Sequence, residues 1–259
     1  MSRPHSSFLK TEGLGIRFGS FQAVGDVSLH LEPGARQALI GPNGAGKTTL
    51  INLLTGVYKP SSGRIYLDGQ DITDLSCDQR ARLGLVRTFQ INTLFPSLTP
   101  LESVVLAICE REGLGSCWWK PVRRYTQVHE EAHEILRRLK LDTLAQLPVA
   151  TLAYGKQRLL EIALAMAARP RILLLDEPAA GVPQGESGEL FEAVAELPSH
   201  IGVLFIEHDM NLVFRFSQRI SVLVAGKILM EGNAAEVGTD PRVREVYLGK
   251  STHIGGHHG

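Results

Sequence analysis

Over the first third of the chain, apolar positions recur in short runs separated by turn residues, a pattern of strands rather than helices. Residues 15–18, 23–31 with alternating apolar positions, and 37–40 read as strands, and the last runs into a glycine-rich loop. A helix over 47–54 should follow that loop. Ser62-Gly63 and Asp68-Gly69 bracket a further short strand at 64–67. From residue 97 to about 167 the period lengthens. Val104, Val105 and Ile108, then Ile135, Leu136 and Leu139, recur at helical spacing, interrupted by Pro100, Gly113, Gly115, Pro121 and Pro148. This block predicts a helical subdomain. Beyond it, two apolar strands at 171–175 and 202–206 flank a helix at 188–197, and that order predicts a right-handed crossover in a largely parallel sheet. The pattern closes with a hairpin, 220–224 and 228–230 around Gly226, and a short helix ending near Leu248. The glycine- and histidine-rich residues 251–259 read as a mobile tail.

Composition leaves this reading intact and removes other classes. The 259 residues are 44% apolar and 21% charged, close to the globular average and far from the signature of disorder. Lys plus Arg and Asp plus Glu each number 27, a formal net charge of zero, which argues against a broad nucleic-acid surface or a polybasic membrane patch. The longest apolar runs, around 162–168 and 172–175, fall far short of the ~20 residues that span a bilayer. Residues 1–10 lack the basic flank, apolar run and cleavage site of a secretory signal, so a cytoplasmic location is expected. Cys77, Cys109 and Cys117 are odd in number and lack CxxC spacing, and they read as reduced thiols.

The chemistry begins in the glycine-rich loop. Gly41-Pro42-Asn43-Gly44-Ala45-Gly46-Lys47-Thr48 fits the pattern GxxxxGK[ST] at every required position, between an apolar strand and a helix. In that setting backbone N–H groups and the positive helix end converge on a phosphate, Lys47 reaches the β and γ phosphates, and the Thr48 hydroxyl ligates magnesium. A second carboxylate for the metal is expected at the end of a buried strand beside the first. Ile172-Leu173-Leu174-Leu175-Asp176-Glu177 supplies it, with Asp176 held to magnesium through its hydration shell and Glu177 placed to orient a water at the γ phosphorus.

With these motifs in order, the chain resembles the ATP-binding subunits of ABC transporters over nearly its whole length. Leu152-Ala153-Tyr154-Gly155-Lys156-Gln157 resembles the family signature LSGGQ, Gln90 after Thr88-Phe89 the Q-loop glutamine, His208 the switch histidine, and Ala180-Gly181-Val182 the start of the D-loop. Phe18 resembles the aromatic that stacks on adenine. The resemblance implies an α/β P-loop NTPase core with a largely parallel sheet, an N-terminal antiparallel β part and a helical subdomain. It implies a cassette over 8–249, with 7–96 and 165–249 as the core and β part, 97–164 as the helical subdomain and 250–259 as the tail. ATP and magnesium are the expected ligands, with Thr49 beside Thr48 in the nucleotide site and Gln90 joining Thr48 and Asp176 at the metal. Glu177, His208 and Gln90 are the expected catalytic residues. Ala153, Tyr154, Gly155, Lys156 and Gln157 are expected to bind the nucleotide of a second cassette, head to tail. The remaining expected partners are two membrane permeases and, indirectly, a periplasmic solute-binding protein, at the cytoplasmic face of the membrane and without nucleic acid.

One departure stands out: Ala153 occupies the place of the signature serine, so a hydroxyl that would reach the γ phosphate is missing. Backbone N–H groups near Gly155 and the start of a helix at 157–168 are expected to serve instead. RTFQ, LAYG, LDEPAAG, IEHDM and the ending Tyr247-Leu248-Gly249 are similar to the subunits of branched-chain amino acid importers, whose relatives import urea, short amides and aromatic acids. A competing motif, His129-Glu130-Glu131-Ala132-His133, satisfies the zinc-protease pattern HExxH, but it sits in a segment charged on one side and apolar on the other, as an ordinary solvated helix is. An ABC-type ATPase acting on DNA would divide Thr48 from Asp176 by a long coiled coil, and no sustained heptads occur there.

Overall fold

A computed structural model describes residues 8–88, 94–114 and 126–248. The chain opens with β1 (Leu9–Phe18), β2 (Phe21–Val27), β3 (His30–Leu31) and β4 (Arg36–Ile40), followed by α1 (Lys47–Thr55), β5 (Ser62–Leu67) and β6 (Gln70–Asp71). Next come α2 (Cys77–Arg82), β7 (Leu85–Arg87), α3 (Pro100–Arg111), α4 (Thr126–Arg138) and α5 (Tyr154–Ala167). The last third holds β8 (Ile172–Asp176), α6 (Gln184–Ala195), β9 (Gly202–Ile206), α7 (Met210–Phe216), β10 (Arg219–Val224), β11 (Lys227–Gly232), α8 (Ala234–Thr239) and α9 (Pro241–Leu248).

Two sheets organise these elements. The first is antiparallel, in the order β2-β1-β5-β6 with β3 also on β1. The second runs β11-β10-β4-β9-β8-β7 and is parallel throughout except for the edge hairpin β10-β11. Every residue of β4, β8 and β9 is buried, as strands covered on both faces must be. Alternate residues of these strands enter different cores. Ala38, Ile40, Leu173, Leu175, Val203 and Phe205 pack with apolar residues of α3–α7. Leu39, Ile172, Leu174, Leu204 and Ile206 pack with α1 and the antiparallel sheet. The parallel sheet is thus the middle of three layers, and its buried strands reach the surface at their ends.

Several expectations need correction. The stretch 23–31 is two strands, because the chain changes partners: β2 pairs with the second half of β1, whereas β3 pairs with Leu9 and Lys10. Thr11 bridges the break, its hydroxyl donating to the Val27 carbonyl and accepting the Leu29 N–H, both at 2.9 Å. The strand carrying Asp176 is not beside the P-loop strand, since β9 lies between β4 and β8. Helix α6 begins at Gln184, a turn earlier than expected, and α5 begins at Tyr154 rather than 157. In α4, Val128, Ala132, Ile135 and Leu136 face the core, as its amphipathic pattern requires. Of its HExxH residues, His129 is half-buried and Glu130 and His133 are exposed, while the carboxylate of the neighbouring Glu131 is taken by Arg111 at 2.7 Å and Arg169 at 2.8 Å.

Candidate active site

The P-loop turns back between β4 and α1. Gly46 caps α1 with φ of 102°, and a Cβ there would come within 2.6 Å of the Ala23 carbonyl oxygen, so both backbone conformation and space demand glycine. Asn43 and Gly44 are exposed, Pro42 is half-buried, and Ala45 is buried with its N–H on the Pro42 carbonyl at 3.1 Å. No side chain caps α1 and no acid sits in its first turn, so its first N–H groups and the positive dipole end are left for an anion. Lys47 is 7% exposed and folds back over the loop, donating to the carbonyls of Gly41 at 2.7 Å and Pro42 at 3.1 Å. Burial lowers its pKa, and Glu177 and Asp176 pull it back up. Thr48 is exposed and Thr49 half-buried in the same turn. From the other end of the chain, Tyr247 on α9 meets the Gly41 N–H, and burial pushes its phenol up to about 12.

Asp176 ends β8 with a side chain only 1% exposed. Its Oδ2 accepts from Arg87 Nη2 at 2.6 Å, and Arg87 Nη1 donates to Asn52 Oδ1 of α1 at 2.7 Å, which ties the edge strand β7, the P-loop helix and β8 together. Asp176 Oδ1 is buried with no partner. Burial pushes the carboxyl up, Arg87 and Lys47 hold it down, and Glu177 adds to the rise. A buried, unpaired carboxylate oxygen is costly unless a cation or its water shell completes it. Together with the open Thr48 hydroxyl, it fits a hard divalent ion.

Glu177 has φ of 50°, a left-handed conformation that costs on the order of 1–3 kcal/mol for a residue with a Cβ. Its N–H continues the ladder to the Ile206 carbonyl at 3.1 Å, and its own carbonyl accepts the Ala180 N–H at 3.0 Å. His208 Nε2 lies 2.8 Å from Glu177 Oε1. The buried Glu207 accepts from the Ala179 N–H through Oε1 at 3.0 Å and from the His208 N–H through Oε2 at 3.1 Å. Phe18, at the tip of the first hairpin, is 47% exposed and edge-to-face with Tyr58 at 5.5 Å. Gln90 lies outside the described residues.

The signature opens α5, with Ala153 as an N-cap that offers no side-chain bond. Its side chains are turned to their own chain. Gln157 Nε2 donates to the Leu152 carbonyl at 3.0 Å, Lys156 pairs with Glu189 at 2.8 Å, and the Tyr154 ring rests on Gly181 under Arg158, 5.1 Å from the ring centroid. Gly155 leaves room for Glu186, whose carboxylate stands 2.5 Å from where a Cβ would be. The structure thus brings the P-loop, Asp176, Glu177 and His208 to neighbouring strand ends, and sets the signature against the loop that follows Glu177. Sequence reasoning gave no role to Arg87, Glu207 or Tyr247, although Tyr247 stands in the quoted ending. Arg87 and Glu207 lie inside the quoted RTFQ and IEHDM, but nothing in a linear motif says what a side chain faces.

A P-loop helix facing an Asp-Glu pair across a parallel sheet defines a P-loop nucleoside triphosphatase. The chain belongs to the ABC transporter family, whose model, described as "ABC transporter", matches residues 24–180. A second model, "Branched-chain amino acid ATP-binding cassette transporter", matches residues 227–253. The chain is 43% identical to the high-affinity branched-chain amino acid transport ATP-binding protein LivG of Escherichia coli (strain K12), with 97% of this chain and 100% of that protein covered. It is 34% identical to the probable branched-chain amino acid transport ATP-binding protein LivG of Methanocaldococcus jannaschii, over 96% and 100%. A solved ATP-binding cassette of an ABC transporter in its ADP conformation matches with a TM-score of 0.83 at 35% identity, covering 94% of this chain and 99% of that one. A dimeric bacterial ABC transporter cassette matches with a TM-score of 0.70 at 25% identity, covering 87% and 98%. The chain is therefore an ATP-hydrolysing cassette of the transporter kind. Among the described residues no helix is long and apolar enough to cross a membrane.

Proposed function

We propose that this chain is the ATPase subunit of an importer for branched-chain or other hydrophobic amino acids, and that Glu177 and His208 run its hydrolysis. The observation that carries the catalytic part is the 2.8 Å contact between Glu177 Oε1 and His208 Nε2, beside a P-loop lysine whose charge Glu177 and Asp176 both support. In this reading the backbone of Gly41 to Lys47 cradles the phosphates, the Lys47 ammonium leaves its carbonyl partners for the β and γ oxygens, and Phe18 stacks on the adenine. Thr48 and Asp176 hold magnesium, with Gln90 joining them. The ion supplies charge neutralisation on the phosphate oxygens. Glu177 orients and polarises the attacking water, and His208 holds the Glu177 carboxylate and the γ phosphate in line.

The unprotected start of α5 at Ala153, Tyr154 and Gly155 is the surface we assign to the nucleotide of a second cassette, and the dimeric form of a similar cassette supports that pairing. The side chains of Lys156 and Gln157 then act by fixing the signature backbone. Two permeases hold the pair at the cytoplasmic face of the membrane, and a periplasmic solute-binding protein selects the cargo. The amino acid cargo is supported by the names of relatives that match this chain end to end and by the C-terminal match.

Glu177→Gln tests the reading. The amide keeps the shape but neither accepts a proton nor orients water as strongly, so ATP affinity should hold while turnover falls by about a hundredfold or more. Parental turnover would remove Glu177 from the reaction. For the cargo, deleting the gene should lower uptake of leucine, isoleucine and valine and leave sugar uptake normal. Loss of urea, amide or aromatic acid uptake in its place would overturn the cargo alone.

A further inference from the structure

We infer that Glu207 is a positioning residue that locks the Glu177 loop and the His208 loop to one another. The inference rests on the reading of Glu177 and His208 as the hydrolytic pair. Strands β8 and β9 run side by side up to the pairing of Asp176 with Ile206, and beyond it the ladder has one further bond, from the Glu177 N–H to the Ile206 carbonyl at 3.1 Å. Past that point each strand leaves the sheet, and the main-chain N–H groups of the half-buried Ala179 and of His208 have no partner left on the neighbouring strand and take acceptors elsewhere. One side chain serves both strand ends: Glu207 Oε1 takes the Ala179 N–H at 3.0 Å and Oε2 takes the His208 N–H at 3.1 Å. The carboxylate therefore replaces the missing rungs between the two loops.

Its placement matters because Glu177 sits at φ of 50° and holds that conformation only while its neighbours are fixed. The turn is closed by the Ala180 N–H on the Glu177 carbonyl at 3.0 Å, and Glu207 grips the second of the two residues between them, Ala179. The opposite oxygen sets the backbone of His208, whose ring must meet Glu177 at 2.8 Å. Glu207 itself is 6% exposed and lines a cleft of about 170 Å³ with Glu177, Ala179, His208, Asp209 and Leu212. Burial pushes its carboxyl up, while the two N–H donors and His208 hold it down and Glu177 opposes them. Both contacts are to main chain, so Glu207 acts on geometry rather than on the reacting atoms.

The test compares Glu207→Gln and Glu207→Ala by ATPase kinetics per nucleotide site, with site number from calorimetry and Tm from thermal melts. Gln keeps one acceptor oxygen and Ala keeps none, so kcat should fall in the order Glu, Gln, Ala, by about tenfold and then about a hundredfold, with KM for ATP unchanged. In the His208→Ala background, Glu207→Gln should cost clearly less than in the parent, since the His208 half of the geometry it holds is already lost and only the hold on Ala179 remains. Parental kcat in Glu207→Gln, or a loss fully accounted for by fewer active sites and a lower Tm, would overturn the inference. So would a full additive effect in the His208→Ala background. If Glu177→Gln were itself as active as the parent, the reading of the site would fail instead, whatever Glu207 does.

Discussion

Arg87 offers a measurement that depends on tertiary contacts alone. Arg87→Met keeps the apolar stem but removes the guanidinium that meets Asp176 at 2.6 Å and Asn52 at 2.7 Å, leaving both oxygens of a carboxylate 1% exposed without a partner. Taking one member from a buried pair costs about 3–5 kcal/mol. Arg87 is 18% exposed, so the lower end applies. The alternative open to Asp176 is to take up a proton, which at pH 7 costs about 4 kcal/mol from an ordinary aspartate pKa and sets a ceiling on the loss. A loss of about 3 kcal/mol lowers Tm by roughly 6–12 °C in a domain of this size. The assay is a calorimetric melt of both proteins, free of nucleotide and metal, at pH 7 and pH 5. At pH 5 protonation costs only about 1.5 kcal/mol, so the deficit should shrink to about half or less. An unchanged Tm at pH 7 would refute the argument, and so would a deficit equal at both values, because lost packing has no such pH dependence.

Lys47→Ala removes a charge-assisted phosphate contact worth about 1.5–3 kcal/mol, so ATP affinity by calorimetry with magnesium should fall roughly 10- to 150-fold. Ala153→Ser restores the signature hydroxyl where backbone donors already serve, and ATP turnover should change only modestly; a rise of about a hundredfold, or 2.7 kcal/mol at the barrier, would mark this signature as deficient. The Asp71 carboxyl is held down to about 2 by the Thr73 hydroxyl, the Thr73 N–H and Arg64. Because the folded value lies below the ordinary one, its stabilising contribution is complete above about 3.8 and is lost as pH falls toward 2. Carboxyl NMR should show that low midpoint moving up in Thr73→Ala.

Some elements were legible and others were not, for identifiable reasons. The P-loop announces itself because its glycines and lysine are needed within one turn of backbone, and β8 and β9 because a strand covered on both faces must be apolar throughout. The hairpin of β10 and β11 is marked by Ala225-Gly226, both at positive φ. Helix α2 went unseen although Ser76 and Gln79 form a capping box, since six residues carry too little periodicity. What keeps it in place is Arg80, fully buried, whose guanidinium closes the Leu53 and Leu54 carbonyls at the end of α1 at 2.6 and 2.7 Å. β7 is three residues long and exists by pairing with β8.

By itself the sequence determined the class of chemistry, the presence of its motifs and most of the succession of strands and helices, because each depends on residues within a few positions of one another. Tertiary structure alone decided which strands lie side by side. It inserted β9 between β4 and β8 and set Arg87 of an edge strand on Asp176, 89 positions later. It also brought Glu207 to Ala179 from 28 positions away. Such pairings arise from the order in which parallel strands stack, and strand order is a property of how layers bury their apolar faces, which no local spacing encodes.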